Sequence, residues 1–124
     1  MHTLALRKKF IARHNLADAP ADETHAKSHL YTLEVMLEAE ELDSEGYVLE
    51  LDALSAELDM ILAIYSDKSL DKAPGFEGRS PTLERFAQVL CETIDEELYA
   101  PQLTAVSVRL WRDENAWAMY DIEK

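Results

Sequence analysis

The sequence of 124 residues has one cysteine, three glycines, four prolines, and only 12 basic residues against 25 acidic ones. A lone thiol, Cys91, cannot form an internal disulfide, so the chain is not a cystine-stapled scaffold. Sparse glycine and proline exclude a collagen-like or low-complexity chain, and a hydrophobic share of 48% excludes one too polar to collapse. No apolar run approaches the ~20 residues that a membrane span requires. Arg7, Lys8 and Lys9 stand where a secretory leader would carry its apolar stretch, so a cytoplasmic location and no membrane partner are expected. A formal charge of −13 repels phosphate backbones at long range and argues against a nucleic-acid partner. A chain of this size removes roughly two-thirds of its unfolded surface from water, which predicts one domain over residues 1–124.

What is present is a clear succession of periodicities. Leu4, Leu6, Lys8, Phe10, Ala12 and His14 share one parity, which predicts a strand from Thr3 to His14. His29, Tyr31, Leu33, Val35, Leu37 and Ala39 predict a second, half-buried strand with Thr32, Glu34 and Glu38 on its other face. Between them, Asn15 to Lys27 has turn chemistry and no apolar period, a long loop of the kind that often carries function. After a turn at Asp43-Ser44-Glu45-Gly46, Tyr47 to Leu51 reads as a short strand or a strand continuation. Asp52 is then the expected N-cap of a helix striped by Leu54, Leu58, Ile61, Leu62 and Tyr65. Ser80 or Thr82 caps a second helix with Pro81 in its first turn and Leu83, Phe86, Ala87, Leu90, Ile94 and Leu98 along one side. Cys91 falls on that apolar side and reads as an inert buried thiol. Val106, Val108 and Leu110 alternate along a strand from Thr104 to Trp111, and Ala116 to Tyr120 returns after a turn at Asp113-Glu114-Asn115. The predicted class is α+β, an antiparallel four-stranded sheet with two helices on one face. Its bare edges predict pairing between subunits.

Four histidines are the most informative polar residues. His14 ends one predicted strand and His29 opens the next, and two imidazoles on adjacent strands form a zinc half-site. His25 precedes His29 in the loop, and three neutral nitrogens plus water would make a catalytic zinc with an open position. Their spacing alone fits ordinary surface or core histidines better than zinc ligands, because no short-range ligand motif accompanies them.

Phe10-Ile11-Ala12-Arg13-His14 resembles the F-x-A-x-H strand of the 6-pyruvoyltetrahydropterin synthase and 6-carboxytetrahydropterin synthase family. In the family's order follow Lys27-Ser28-His29-Leu30-Tyr31 for H-G-H-x-Y, Gly46-Tyr47-Val48-Leu49-Glu50-Leu51 for G-M-V-x-D-F, and Tyr65-Ser66-Asp67-Lys68-Ser69-Leu70-Asp71 for L-D-H-x-x-L-N. Pro81-Thr82-Leu83-Glu84-Arg85-Phe86-Ala87 is similar to P-T-x-E-N-x-A, and Ala118-Met119-Tyr120 to the closing A-x-Y. The resemblance implies a ββααββ T-fold subunit, trimers closing a barrel and pairing into hexamers, and active sites between subunits. It implies a carbon-oxygen lyase acting on dihydroneopterin triphosphate. Its expected parts are a zinc on three histidines, a cysteine base, an aspartate–histidine proton-moving pair and a glutamate that anchors the pterin ring.

Carried over residue by residue, the resemblance is incomplete. His14 and His29 match two zinc ligands, but the third position is Lys27, whose ammonium neither ligates nor tolerates a neighbouring dication. His25 has the parity to substitute for it. Glu23 stands where the family has its cysteine and offers a carboxylate as base. Asp67 keeps the aspartate of the proton-moving pair, whereas Lys68 replaces its histidine. The anchoring glutamate is represented by Leu110, which cannot accept hydrogen bonds from an aminopyrimidine edge. Gly46, Pro81, Thr82, Glu84 and Ala87, which specify turns, caps and packing, are kept. The expected function is therefore that of a pterin synthase-like protein with an altered site. Its candidate catalytic residues are Asp67, Lys68 and Glu23, and its candidate zinc ligands are His14, His29 and His25. The alternative is a non-catalytic T-fold homologue that serves as an oligomeric ligand- or partner-binding protein.

Overall fold

Fourteen residues of alternating side chains make the first strand, β1 (His2–Asn15), and its register with β2 (Ala26–Ala39) runs unbroken from His2↔Ala39 to Asn15↔Ala26. The computed structural model describes residues 1–15 and 26–124. After β2 come α1 (Leu51–Leu62), a 3-10 turn (Leu70–Lys72), α2 (Leu83–Glu97), β3 (Leu103–Asp113) and β4 (Ala116–Glu123). The sheet order is β1-β2-β3-β4 with every pair antiparallel. Among the described residues no helix is long and apolar enough to cross a membrane.

Period-two burial places Phe10, Ala12, Tyr31, Leu33, Val35, Leu37, Val106, Val108 and Leu110 in the core, on the sheet face covered by the helices. The ring of Phe86 on α2 is the centre of that core. It lies 5.3–5.8 Å, centroid to centroid, from Phe10, Tyr31, Tyr65 and Phe76. Gly75 lets the preceding loop reach α2: it has φ 94°, and a Cβ there would stand 2.8 Å from Val89 Cγ1.

The turn at Asp43–Gly46 is as expected, whereas Tyr47 to Leu51 departs from the expected strand, because side chains take up backbone groups there. The Asp43 carboxylate accepts the Glu45 and Tyr47 N–H groups, each at 2.9 Å, and Gln102 Nε2 donates to the Val48 carbonyl. Leu51 already belongs to α1. The cap is Glu50 rather than Asp52, since the Glu50 carboxylate accepts from the N–H groups of Asp52 (3.2 Å) and Ala53 (2.8 Å). Tyr65 falls in the turn beyond α1, although it is buried as its stripe predicts. At α2 the cap is Thr82, whose hydroxyl accepts from Arg85 N–H at 3.1 Å, so Pro81 precedes the cap instead of entering the first turn.

The outer edge of β1 is partly covered. Asp67 N–H donates to the Ile11 carbonyl at 2.6 Å, and Arg13 N–H donates to the Lys68 carbonyl at 2.9 Å. Asp67 adopts φ 60° to make this docking, a left-handed conformation that aspartate tolerates better than most side chains.

Candidate functional site

In the β1–β2 register Ala12 lies opposite His29, and His14 lies opposite Lys27. His14 and His29 are thereby diagonal neighbours on the helix-covered face, at the end of the strand pair that leads into residues 16–25. Glu23 and His25 lie outside the described residues.

The His14 side chain is one-quarter exposed, but its Nδ1 is buried and has no hydrogen-bond partner. The facing carboxylate is Asp71, with Oδ1 at 3.9 Å, while the other Asp71 oxygen accepts from the Ser69 hydroxyl at 3.2 Å. His29 meets the ring of Tyr31 at 6.0 Å, and Tyr31 stacks on Phe10 at 5.4 Å. Burial raises the ionisation range of the Tyr31 hydroxyl, only partly opposed by Arg112, so this phenol is neutral and suits packing rather than base chemistry.

Among the described residues no three His, Cys, Asp or Glu side chains form a group that could hold a metal. The described residues alone therefore do not fit zinc: two imidazoles supply half of a tetrahedral set, and the residue across from His14 is a lysine.

Asp67 and Lys68 are both exposed, and Lys68 Nζ donates to the Ala63 carbonyl at the end of α1 at 3.2 Å. The acid brought to His14 is Asp71, the last residue of the Tyr65–Asp71 segment, for which the spacing offers no signal. Leu110 is fully buried, paired with Leu33 on one side and Ala118 on the other. Cys91 is fully buried near the Val106 carbonyl, and burial, reinforced by Asp95, Asp121 and Glu92, pushes its thiol up to about 12. It is no nucleophile at neutral pH.

The sheet face opposite the helices has its own polar cluster. Glu34 is only 8% exposed, receives the Arg7 Nε–H at 2.7 Å, and lies 3.7 Å from an Arg109 nitrogen. Arg109 stacks over Trp117 at 4.5 Å. Beside this cluster Arg7, Lys9, Leu30, Thr32 and Trp111 line an open groove of about 690 Å³. The only sequence signal was the register of like-facing charges, which becomes readable once the strand order is known.

A family model described as 6-pyruvoyl tetrahydropterin synthase matches residues 3–123. The 6-pyruvoyl tetrahydropterin synthase of Caenorhabditis elegans superposes with a TM-score of 0.76 at 20% identity, covering 99% of this chain and 95% of that one. A Plasmodium vivax 6-pyruvoyltetrahydropterin synthase whose catalytic glutamate is replaced by alanine superposes with a TM-score of 0.80 at 10% identity, covering 99% and 98%. The Plasmodium falciparum protein gives 0.77 at 10% identity, covering 99% and 98%. Comparison with curated proteins gives no match. At such identities the solved structures speak for the fold, the four-stranded antiparallel ββααββ T-fold, while the family match spans nearly the whole chain. The chain belongs to the 6-pyruvoyl tetrahydropterin synthase family.

Proposed function

We propose that this chain is a 6-pyruvoyl tetrahydropterin synthase-like protein that binds a pterin-type ligand within a homo-oligomer and has an altered active site, with little turnover of dihydroneopterin triphosphate. One observation carries this reading. The position that the resemblance assigns to the pterin-anchoring carboxylate is Leu110, a fully buried core residue. A ligand held here is held by other groups, and without a charge-assisted bidentate contact its orientation is less constrained.

The remaining roles follow from the residues present. Glu23 is the candidate base at the cysteine position, in keeping with the catalytic glutamate of the Plasmodium vivax relative. His14 and His29 supply imidazoles on one sheet face, and His25 is the candidate to complete a zinc set. Asp67 and Lys68 are the candidate proton-moving pair, although the Lys68 contact with Ala63 supports a helix-capping role instead. The kept residues favour the second reading, a non-catalytic oligomeric binder: Thr82 caps α2 and Ala87 packs in the core, so the resemblance survives best where it is structural.

Assembly is supported by the open edges. The docked segment engages β1 at Ile11 and Arg13, while β4 is the sheet's opposite edge over Ala116–Glu123. Strand pairing between copies covers such edges. Light scattering should give a trimer or hexamer of the 14.1 kDa chain; a monomer mass at micromolar concentration contradicts the assembly. For binding, a thermal-shift series with neopterin, biopterin and their dihydro forms should show a concentration-dependent rise in Tm with at least one of them. No rise with any pterin at millimolar concentration overturns the reading.

A further inference from the structure

The carboxylate that faces His14 comes from another element, and its position follows from how the chain is tied down. Two main-chain hydrogen bonds, Asp67 N–H to the Ile11 carbonyl and Arg13 N–H to the Lys68 carbonyl, fasten the segment after α1 to the outer edge of β1. Ser69 continues that contact as a parallel bridge to Arg13. Leu70, fully buried, anchors the 3-10 turn that follows. Asp71 is thereby carried to the side of His14, and the Ser69 hydroxyl fixes one of its oxygens at 3.2 Å while the other faces His14 Nδ1 at 3.9 Å.

A neutral imidazole carries its proton on one nitrogen and a lone pair on the other. A lone pair on a buried Nδ1 turned to a carboxylate oxygen would face negative charge, whereas an N–H there is attracted to it. A small rotation of the ring or one bridging water closes the remaining distance to a hydrogen bond. Nδ1 is buried while a quarter of the side chain is exposed, so the exposed surface belongs to the rest of the residue.

We infer that Asp71 is the positioning residue of this site: it holds His14 as the Nδ1–H tautomer and leaves the Nε2 lone pair as the working nitrogen. That nitrogen is the one free to accept a proton from a bound ligand. The inference deepens the reading above, but its test concerns the ring itself and does not depend on pterin binding or turnover.

The test is nitrogen-15 NMR of histidine-labelled, metal-free protein at pH 8.5, where ordinary imidazoles are neutral. His14 should show the Nδ1–H pattern in the parent. In Asp71→Ala that pattern should be lost in favour of the Nε2–H form, with His2, at the far end of β1, unchanged as an internal reference. Asp71→Asn keeps an oxygen acceptor of the same shape and should retain the parental tautomer, which a general loss of folding would not reproduce. An Nε2–H pattern in the parent overturns the inference whether or not Asp71→Ala folds. So does a folded Asp71→Ala whose His14 tautomer is unchanged.

Discussion

Leu110 lies directly across the β2–β3 ladder from Leu33, and both side chains are fully buried. The site of a carboxylate in the family pattern is here part of the wall between sheet and helices. Restoring the acid as Leu110→Glu should therefore damage the fold and not repair a ligand site. An unpaired buried charge costs about 3–5 kcal/mol. Chemical denaturation should register a loss of that order, or no cooperative transition at all. A variant as stable as the parent would show that position 110 can turn toward a ligand.

The buried carboxylate of Glu34 is a second test of packing, on the opposite sheet face. It accepts from Arg7 and neighbours Arg109, so Glu34→Ala leaves two guanidinium groups without their acceptor. Loss of such a part-buried partner costs about 1–3 kcal/mol, and denaturant midpoints should fall accordingly. Arg7 is largely exposed, so most of the loss should reflect Arg109 and the indoles it covers.

Cys91 should resist thiol reagents in the native protein at pH 8 and react at once in denaturant, read by the release of a chromophoric thiol. Its thiol is pushed from 9.0 up to about 12 in the folded chain. A folded value above the unfolded one means that this group favours the fold fully below pH 9, with the contribution lost progressively as pH rises from 9 toward 12. Rapid native labelling at pH 8 would contradict the burial.

Zinc content separates the metal readings. With two imidazoles on the described strands and Lys27 across from His14, tag-free protein should carry less than one zinc per chain. Lys27→His should raise both content and affinity, and His25→Ala should lower whatever the parent retains. One zinc per parent chain that survives His25→Ala would shift the third-ligand assignment to another group, Glu23 first.

Much of this fold was legible because the sheet announces itself by parity. Phe10 to His14 and His29 to Ala39 alternate so cleanly that the strand faces could be read before their partners were known. What could not be read depends on tertiary docking or on local hydrogen bonds. Tyr47 to Leu51 has strand-like composition, but the Asp43 carboxylate and the Gln102 amide take its polar groups. Glu50 caps α1 although capping usually falls to shorter side chains, which drew the reading to Asp52. The approach of Asp71 to His14 requires a left-handed Asp67 and a segment laid along the β1 edge, neither of which has a spacing signature. The burial of Glu34 similarly needs arginines from two neighbouring strands.

On the proposed function, the T-fold scaffold is retained while its pterin chemistry is altered. Turnover of dihydroneopterin triphosphate by the tag-free oligomer, assayed with added zinc, tests it most directly. The parent and His29→Ala should both give a rate indistinguishable from background. Turnover well above background in the parent, abolished by His29→Ala, would contradict it.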